Sequence, residues 1–190
     1  MKKHIFYFIL TFITVQMSFA GSISEYAVIK GTISIPDFQA KEVTLYNVED
    51  GKPAVAATAK VNSLGEFGFM TPVSAAGFYY VDYGQFKSRN QLIRLYLEPK
   101  SDISLTINKT SYVLGGKNIG QNALVQKANE IYNEFAPFAR LGENLSYVQF
   151  YPFVDKGLAK ADEFSKSIKT KDANFNKLLK LAVATDVEEL

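Results

Sequence analysis

The side chains on which most enzymes depend are nearly missing from this sequence, and that shortage directs the reading. Among 190 residues there is no Cys and a single His, His4. That His lies in an N-terminal stretch with the marks of a cleaved signal, so the mature chain holds neither imidazole nor thiol. A Ser-His-Asp or Cys-His mechanism, a thiol redox cycle and the usual His/Cys transition-metal site are out of its reach. Carboxylates remain, since two of them placed across a glycosidic bond can hydrolyse it. Asp82, Glu98 and Asp102 lie on or beside candidate strands, but any strand protein of this size offers such pairs, and solvated or turn-capping roles account for them. Glu49 and Asp50 are oxygen ligands of the kind calcium takes, yet the spacing of an EF-hand loop is missing. The chain reads as non-enzymatic, with no catalytic residue, cofactor or metal.

Binding is the remaining chemistry. Tyr79, Tyr80, Tyr83, Phe86, Arg89, Arg94 and Tyr96 form the densest mixture of aromatic and basic groups in the chain. Tyr and Arg combine a large contact area with a polar tip, which suits a protein partner. Tyr79, Tyr83, Phe86, Arg89, Arg94 and Tyr96 are the candidate binding set. A glycan or peptide could use the same rings, although a sugar also needs polar groups converging beside an exposed ring. In the plainer alternative the rings only cover the sheet and the inner face of the helices.

The N-terminus predicts where this happens. Lys2 and Lys3 precede an apolar stretch from Ile5 to about Val15, and Ser18-Phe19-Ala20 presents small residues where a signal peptidase reads. The apolar stretch is shorter than the ~20 residues of a spanning helix. Residues 1–20 are therefore expected to be a cleaved secretory signal, with export from the cytoplasm and no stable membrane insertion afterwards. Without Lys2 and Lys3 the chain has 19 basic and 19 acidic residues. That balance excludes the clustered basic surface of a nucleic-acid binder. An exported chain without Cys must hold itself together by packing alone. Asn108-Lys109-Thr110 and Asn144-Leu145-Ser146 match the glycosylation sequon, a short pattern that occurs often by chance and carries no meaning if the host is bacterial.

Positioning falls to about eight short strands. The run from Gln91 to Ile107 is the clearest: Ile93, Leu95 and Leu97 alternate with Arg94, Tyr96 and Glu98, and Ile103, Leu105 and Ile107 alternate with Asp102, Ser104 and Thr106. Pro99-Lys100-Ser101 breaks the run, predicting a central hairpin. Ahead of it come a strand over 26–35 with Gly31 at a bulge, a strand over 42–48, and an Asp50-Gly51 hairpin turn. A strand over 54–61 follows with Val55, Ala57, Ala59 and Val61 inward, then Glu66-Phe67-Gly68-Phe69 and an aromatic strand over 77–84. A short strand over 111–114 ends at Gly115-Gly116. These elements predict a mainly β chain with α, an antiparallel β-sandwich over residues 21–116.

After Gly116 the period changes. Leu124, Ala128, Ile131, Phe135 and Phe138 mark one helix. Leu158, Ala161, Phe164 and Ile168 mark a second over 147–168, weakened by Pro152 and Gly157. A third, capped by Asp172, carries Phe175, Leu178, Leu179, Ala182 and Val183. Residues 117–190 are thus a C-terminal helical segment that packs on the sandwich or links it to another module. The last turn is acidic through Asp186, Glu188 and Glu189, which opposes the helix dipole and reads either as a frayed end or as a helix continuing in a longer protein.

Taken together, the signal, Gly31-Thr32-Ile33, Val43-Thr44-Leu45-Tyr46, Gly65-Glu66-Phe67-Gly68-Phe69, Gly77-Phe78-Tyr79-Tyr80, Leu95-Tyr96-Leu97-Glu98-Pro99 and the helical segment resemble a known family. That family is the N-terminal domain of unknown function that precedes the thioredoxin-like module in many exported thiol-disulfide oxidoreductases of Gram-negative bacteria, a resemblance that implies export to the periplasm or cell envelope of such a cell. In those proteins a Cys-x-x-Cys in the following module does the redox chemistry. That motif is missing here, so the resemblance implies the accessory role: a non-catalytic domain whose partner is another protein or a C-terminal thioredoxin-like module.

Overall fold

A computed structural model describes residues 25–84, 92–117, 119–139 and 146–188. Eight strands form two four-stranded sheets, and three helices follow. The strands are β1 (Glu25–Ile33), β2 (Glu42–Glu49), β3 (Lys52–Lys60), β4 (Glu66–Val73), β5 (Gly77–Asp82), β6 (Ile93–Leu97), β7 (Asp102–Ile107) and β8 (Tyr112–Lys117). Sheet A has the order β4-β1-β7-β8 and sheet B the order β3-β2-β5-β6. Period-two alternation builds the layer between them. Ala27, Ile29 and Ile33 of β1, Val43 and Leu45 of β2, and Phe67, Phe69 and Val73 of β4 all point into one buried cluster.

The predicted central hairpin is corrected. β6 pairs with β5 in sheet B, whereas β7 lies between β1 and β8 in sheet A. Pro99-Lys100-Ser101 is an arch between the layers, with Lys100 in the left-handed region at φ 67° and its N–H donated to the Tyr26 carbonyl. Ile93, Leu95 and Leu97 thus meet Ile103, Leu105 and Ile107 across the core instead of sharing one sheet face. Alternation alone cannot separate these cases, because both put the same residues inside. The sandwich is not purely antiparallel either: β1 and β7 run parallel, a consequence of the arch.

Three local expectations change for identifiable reasons. Val55 points outward and is 63% exposed, because the register slips between Leu45 and Tyr46 and Ala56 becomes an extra residue on β3. Gly31 stands opposite Phe67 in regular pairing, not at a bulge, and a Cβ there would lie 2.0 Å from the Phe67 ring, so the glycine makes room for that ring. β4 continues through Pro72, which an edge strand tolerates. The Asp50-Gly51 turn forms as predicted, both residues having positive φ between the paired Glu49 and Lys52.

The helices are α1 (Gly120–Ala139), α2 (Tyr147–Ser167) and α3 (Ala173–Glu188). They bury Val125, Ala128, Ile131 and Phe135 of α1, Ala161 and Phe164 of α2, and Phe175, Leu179 and Val183 of α3 in a second cluster. Leu158, expected inside, is 37% exposed, and the buried stripe of α2 instead begins at Gly157. A Cβ on Gly157 would lie 2.8 Å from the Phe135 ring, so the small residue lets α1 and α2 approach. Asp172 caps α3 as predicted, accepting the Phe175 N–H at 2.9 Å. Tyr96 belongs to this second cluster, with Phe78 packed against it, so the helices pack on sheet B.

Candidate functional site

The outer face of sheet B is lined by residues that alternate with its core positions: Tyr46 and Val48 on β2, Phe78, Tyr80 and Asp82 on β5, Arg94 and Tyr96 on β6. In register, Tyr46 lies opposite Val55 on one side and Tyr80 on the other, and Tyr80 lies opposite Arg94. One row, Val55–Tyr46–Tyr80–Arg94, thus crosses all four strands. The helices cover its β6 end.

Under the helices sits a buried ion pair. Arg94 is 6% exposed and donates from Nη1 to Asp186 Oδ2 at 3.0 Å and from Nη2 to Asp186 Oδ1 at 2.8 Å, a bidentate fork. Its guanidinium lies 5.8 Å from the centroids of both the Phe78 and the Tyr80 rings. Burial works to lower the Arg94 pKa, but the Asp186 carboxylate more than reverses it, so the net movement is upward. Beside it, Tyr96 is 1% exposed and packs edge-on against Phe78 and Phe175. Its hydroxyl donates to Asp172, which also accepts from Gln121. Burial, helped by the Asp172 and Glu98 charges, pushes the Tyr96 phenol up to about 12.

β6 is an edge strand, and its edge is capped from α1. Asn122, itself buried, accepts the Tyr96 N–H at 2.7 Å and donates to the Tyr96 carbonyl at 2.9 Å. One side chain thereby supplies the two bonds a neighbouring strand would have made. Farther along α1, Gln126 donates to the Tyr112 carbonyl on β8 and Asn129 to the Tyr112 hydroxyl. The same helix therefore lies along an edge of each sheet.

The aromatic and basic set expected to form one surface is divided by this arrangement. Arg94 and Tyr96 are sealed beneath helices, and Tyr79 points into the sandwich at 8% exposure, so none of the three offers an open contact face. Tyr83 is partly exposed and packs against Phe38, 6.4 Å between centroids. Phe86 and Arg89 lie outside the described residues, as do residues 1–20, expected to be a signal, and Asn144.

Among the described residues, nothing covers the β2–β3 half of the same face. Tyr46, Val48 and Tyr80 form the floor of a groove of about 390 Å³, with Gly51, Pro53 and Leu92 on its rim and Asp82 the one charged residue among its described lining. Val48 is 52% exposed. Sequence reasoning missed Tyr46, Val48, Pro53 and Leu92 as a site. The available signal was on β2, where Val43 and Leu45 supply the core face while Tyr46 and Val48 make the opposite face apolar too. A strand apolar on both faces needs a cover on each.

The carboxylates do not assemble a hydrolytic pair from Asp82 and Glu98. These residues flank opposite ends of the five-residue β5–β6 ladder, roughly 20 Å apart at strand rise, whereas glycosidase carboxyls stand about 5 to 9.5 Å apart. Asp82 accepts the Gly84 N–H at 2.8 Å and turns the chain out of β5. No group of three His, Cys, Asp or Glu converges on a metal position among the described residues. A larger hollow, about 860 Å³, opens at the end of the sandwich by Phe38, Lys41, Lys60 and Leu64, where both lysines are exposed surface groups. Among the described residues no helix is long and apolar enough to cross a membrane. Neither the protein-family models nor the curated proteins contain a match to this chain.

Proposed function

We propose that this chain is an exported, non-catalytic protein-interaction domain of the accessory type that precedes thioredoxin-like modules, and that it docks its partner on the open half of sheet B. The observation that carries this reading is the unequal covering of one aromatic face. Where helices lie on it, the face is a packed core; beside them, Tyr46, Val48, Pro53, Val55 and Leu92 leave apolar surface at the solvent boundary. Exposed apolar area of this kind contributes nothing to folding, and its ordinary use is contact. A glycan is the less favoured occupant, because among the described residues Asp82 is the only charged group lining the groove and the rim is aliphatic, whereas sugars require several converging polar groups.

The test is site-specific photo-crosslinking in the native cells. A photoreactive residue at Val55 is expected to give a discrete protein adduct that the same residue at Lys30, exposed on sheet A, does not. Identical patterns at both positions would remove the docking assignment. Fractionation of those cells tests export separately, the mature protein being expected in the periplasmic or envelope fraction.

A further inference from the structure

The covered half of sheet B contains a worked example of what its aromatic face binds. There a guanidinium lies 5.8 Å from each of two ring centroids, Phe78 and Tyr80, and a carboxylate, Asp186, neutralises it. The open half holds part of the same kit: Tyr46 adds a ring beside Tyr80, the ring that also faces Arg94. Tyr46 is the cross-strand neighbour of Tyr80, and Asp82 lies two residues beyond Tyr80 on the same face, opposite Thr44. Rings and carboxylate are both present, but no described residue lining the groove is a cation. The turn that supplies Gly51 to the rim also brings Glu49 and Asp50, with Lys52 paired across the strands to Glu49.

We propose that the groove receives a Lys or Arg side chain of an extended partner segment, held against the Tyr46 and Tyr80 rings and neutralised by Asp82, with flanking apolar residues on Val48, Pro53 and Leu92. This rests on the docking reading above and specifies its partner. Ring faces carry negative electrostatic potential, so they attract a cation as well as apolar surface. A neighbouring carboxylate favours a cation over a neutral side chain. The groove volume, about 390 Å³, accommodates a few side chains rather than a globular surface.

The experiment uses the full chain, fluorescently labelled, against a positional-scanning library of acetylated, amidated octapeptides. Lys or Arg flanked by Val, Leu or Ile is the expected enrichment. The best octapeptide is then titrated against the parent, Asp82→Asn and Tyr46→Leu. Asp82→Asn keeps the oxygen that accepts the Gly84 N–H, so the turn is preserved, and it is expected to weaken binding at least tenfold and to flatten its salt dependence. Tyr46→Leu is expected to weaken it about as much, and unchanged urea midpoints verify that both variants fold. Enrichment of neutral apolar peptides that still depends on Tyr46 overturns the cation assignment and leaves the docking reading standing. Absence of any Tyr46-dependent enrichment overturns both. Enrichment that appears only in a Lys87→Gln/Arg89→Gln variant assigns the groove to the chain's own basic side chains and likewise overturns the proposal.

Discussion

Sheet B presents aromatic rings on both halves of its outer face, yet the halves differ in what completes them. On the β5–β6 half, α3 delivers Asp186 to Arg94 and α1 delivers Asn122 to the exposed edge of β6. On the β2–β3 half no described helix arrives, and Tyr46, Val48 and Val55 face outward. The difference shows that an aromatic sheet face does not by itself mean a core or a site. Which it becomes depends on whether the chain supplies the partner groups itself.

The comparison yields predictions in descending order of effect. Asp186→Ala strands a buried guanidinium and is expected to destabilise the protein by about 3–5 kcal/mol, read from urea denaturation. Arg94→Met combined with Asp186→Leu should recover most of that loss, since an apolar pair of similar volume avoids desolvating two charges. If the double variant were as unstable as the single one, packing and not the uncompensated charge would be the cause. Arg94 Nε adds to the expectation, being buried without a hydrogen-bond partner among the described residues.

Asn122→Ala removes both caps from the Tyr96 peptide groups, and leaving buried backbone groups unsatisfied costs about 1–3 kcal/mol. Hydrogen exchange should then accelerate at the Tyr96 amide and stay slow at Leu45, in the middle of sheet B.

Alkaline pH gives the next effect, and its direction follows from proton binding. The ordinary phenol value is 10.0 and that of folded Tyr96 is about 12. Between these values the unfolded chain has lost a proton that the folded chain keeps. Stability from this group is therefore fully present below pH 10, and falls by about 1.4 kcal/mol per pH unit up to roughly 12. Tyr79, Tyr83 and Tyr112 are also raised, mainly by burial, and add in the same direction. Urea titrations at pH 9 and 11 should show the fall, and Tyr96→Phe should make it shallower.

The open half should be nearly silent in such assays. Val48→Thr and Val55→Thr are expected to change stability by no more than about 0.5 kcal/mol, while the Val55 crosslink to a partner is weakened by Val48→Thr. A loss of stability comparable to that of Asn122→Ala would mean that this half, too, is closed by the chain's own residues.

Sequence pattern reached far into the local structure. Alternation marked the strands, the Asp50-Gly51 turn formed where such a dipeptide forms one, and Asp172 capped α3, because each depends on residues a few positions apart. It reached less far into the site. Arg94 and Tyr96 were recognisable as unusual neighbours on a strand, but their burial depends on Asp186 and Asn122, 92 and 26 residues away. The acidic last turn of α3 looked unfavourable for the same reason, since its local dipole is visible in sequence and the distant guanidinium is not.

Periodicity, turn chemistry and caps are short-range physics, so the chain's own order determined the eight strands, the three helices and the two apolar stripes that needed burying. Pairing is different. Whether Pro99-Lys100-Ser101 closes a hairpin or arches between sheets, whether β1 meets β7 in parallel, and which half of an aromatic face is covered were decided only in the tertiary structure. For the arch and the β1–β7 pairing the alternatives bury the same side chains, and in all three what separates them is long-range geometry: the register slip at Ala56, the reach of α1 along two sheet edges, and one ion pair that holds α3 on β6.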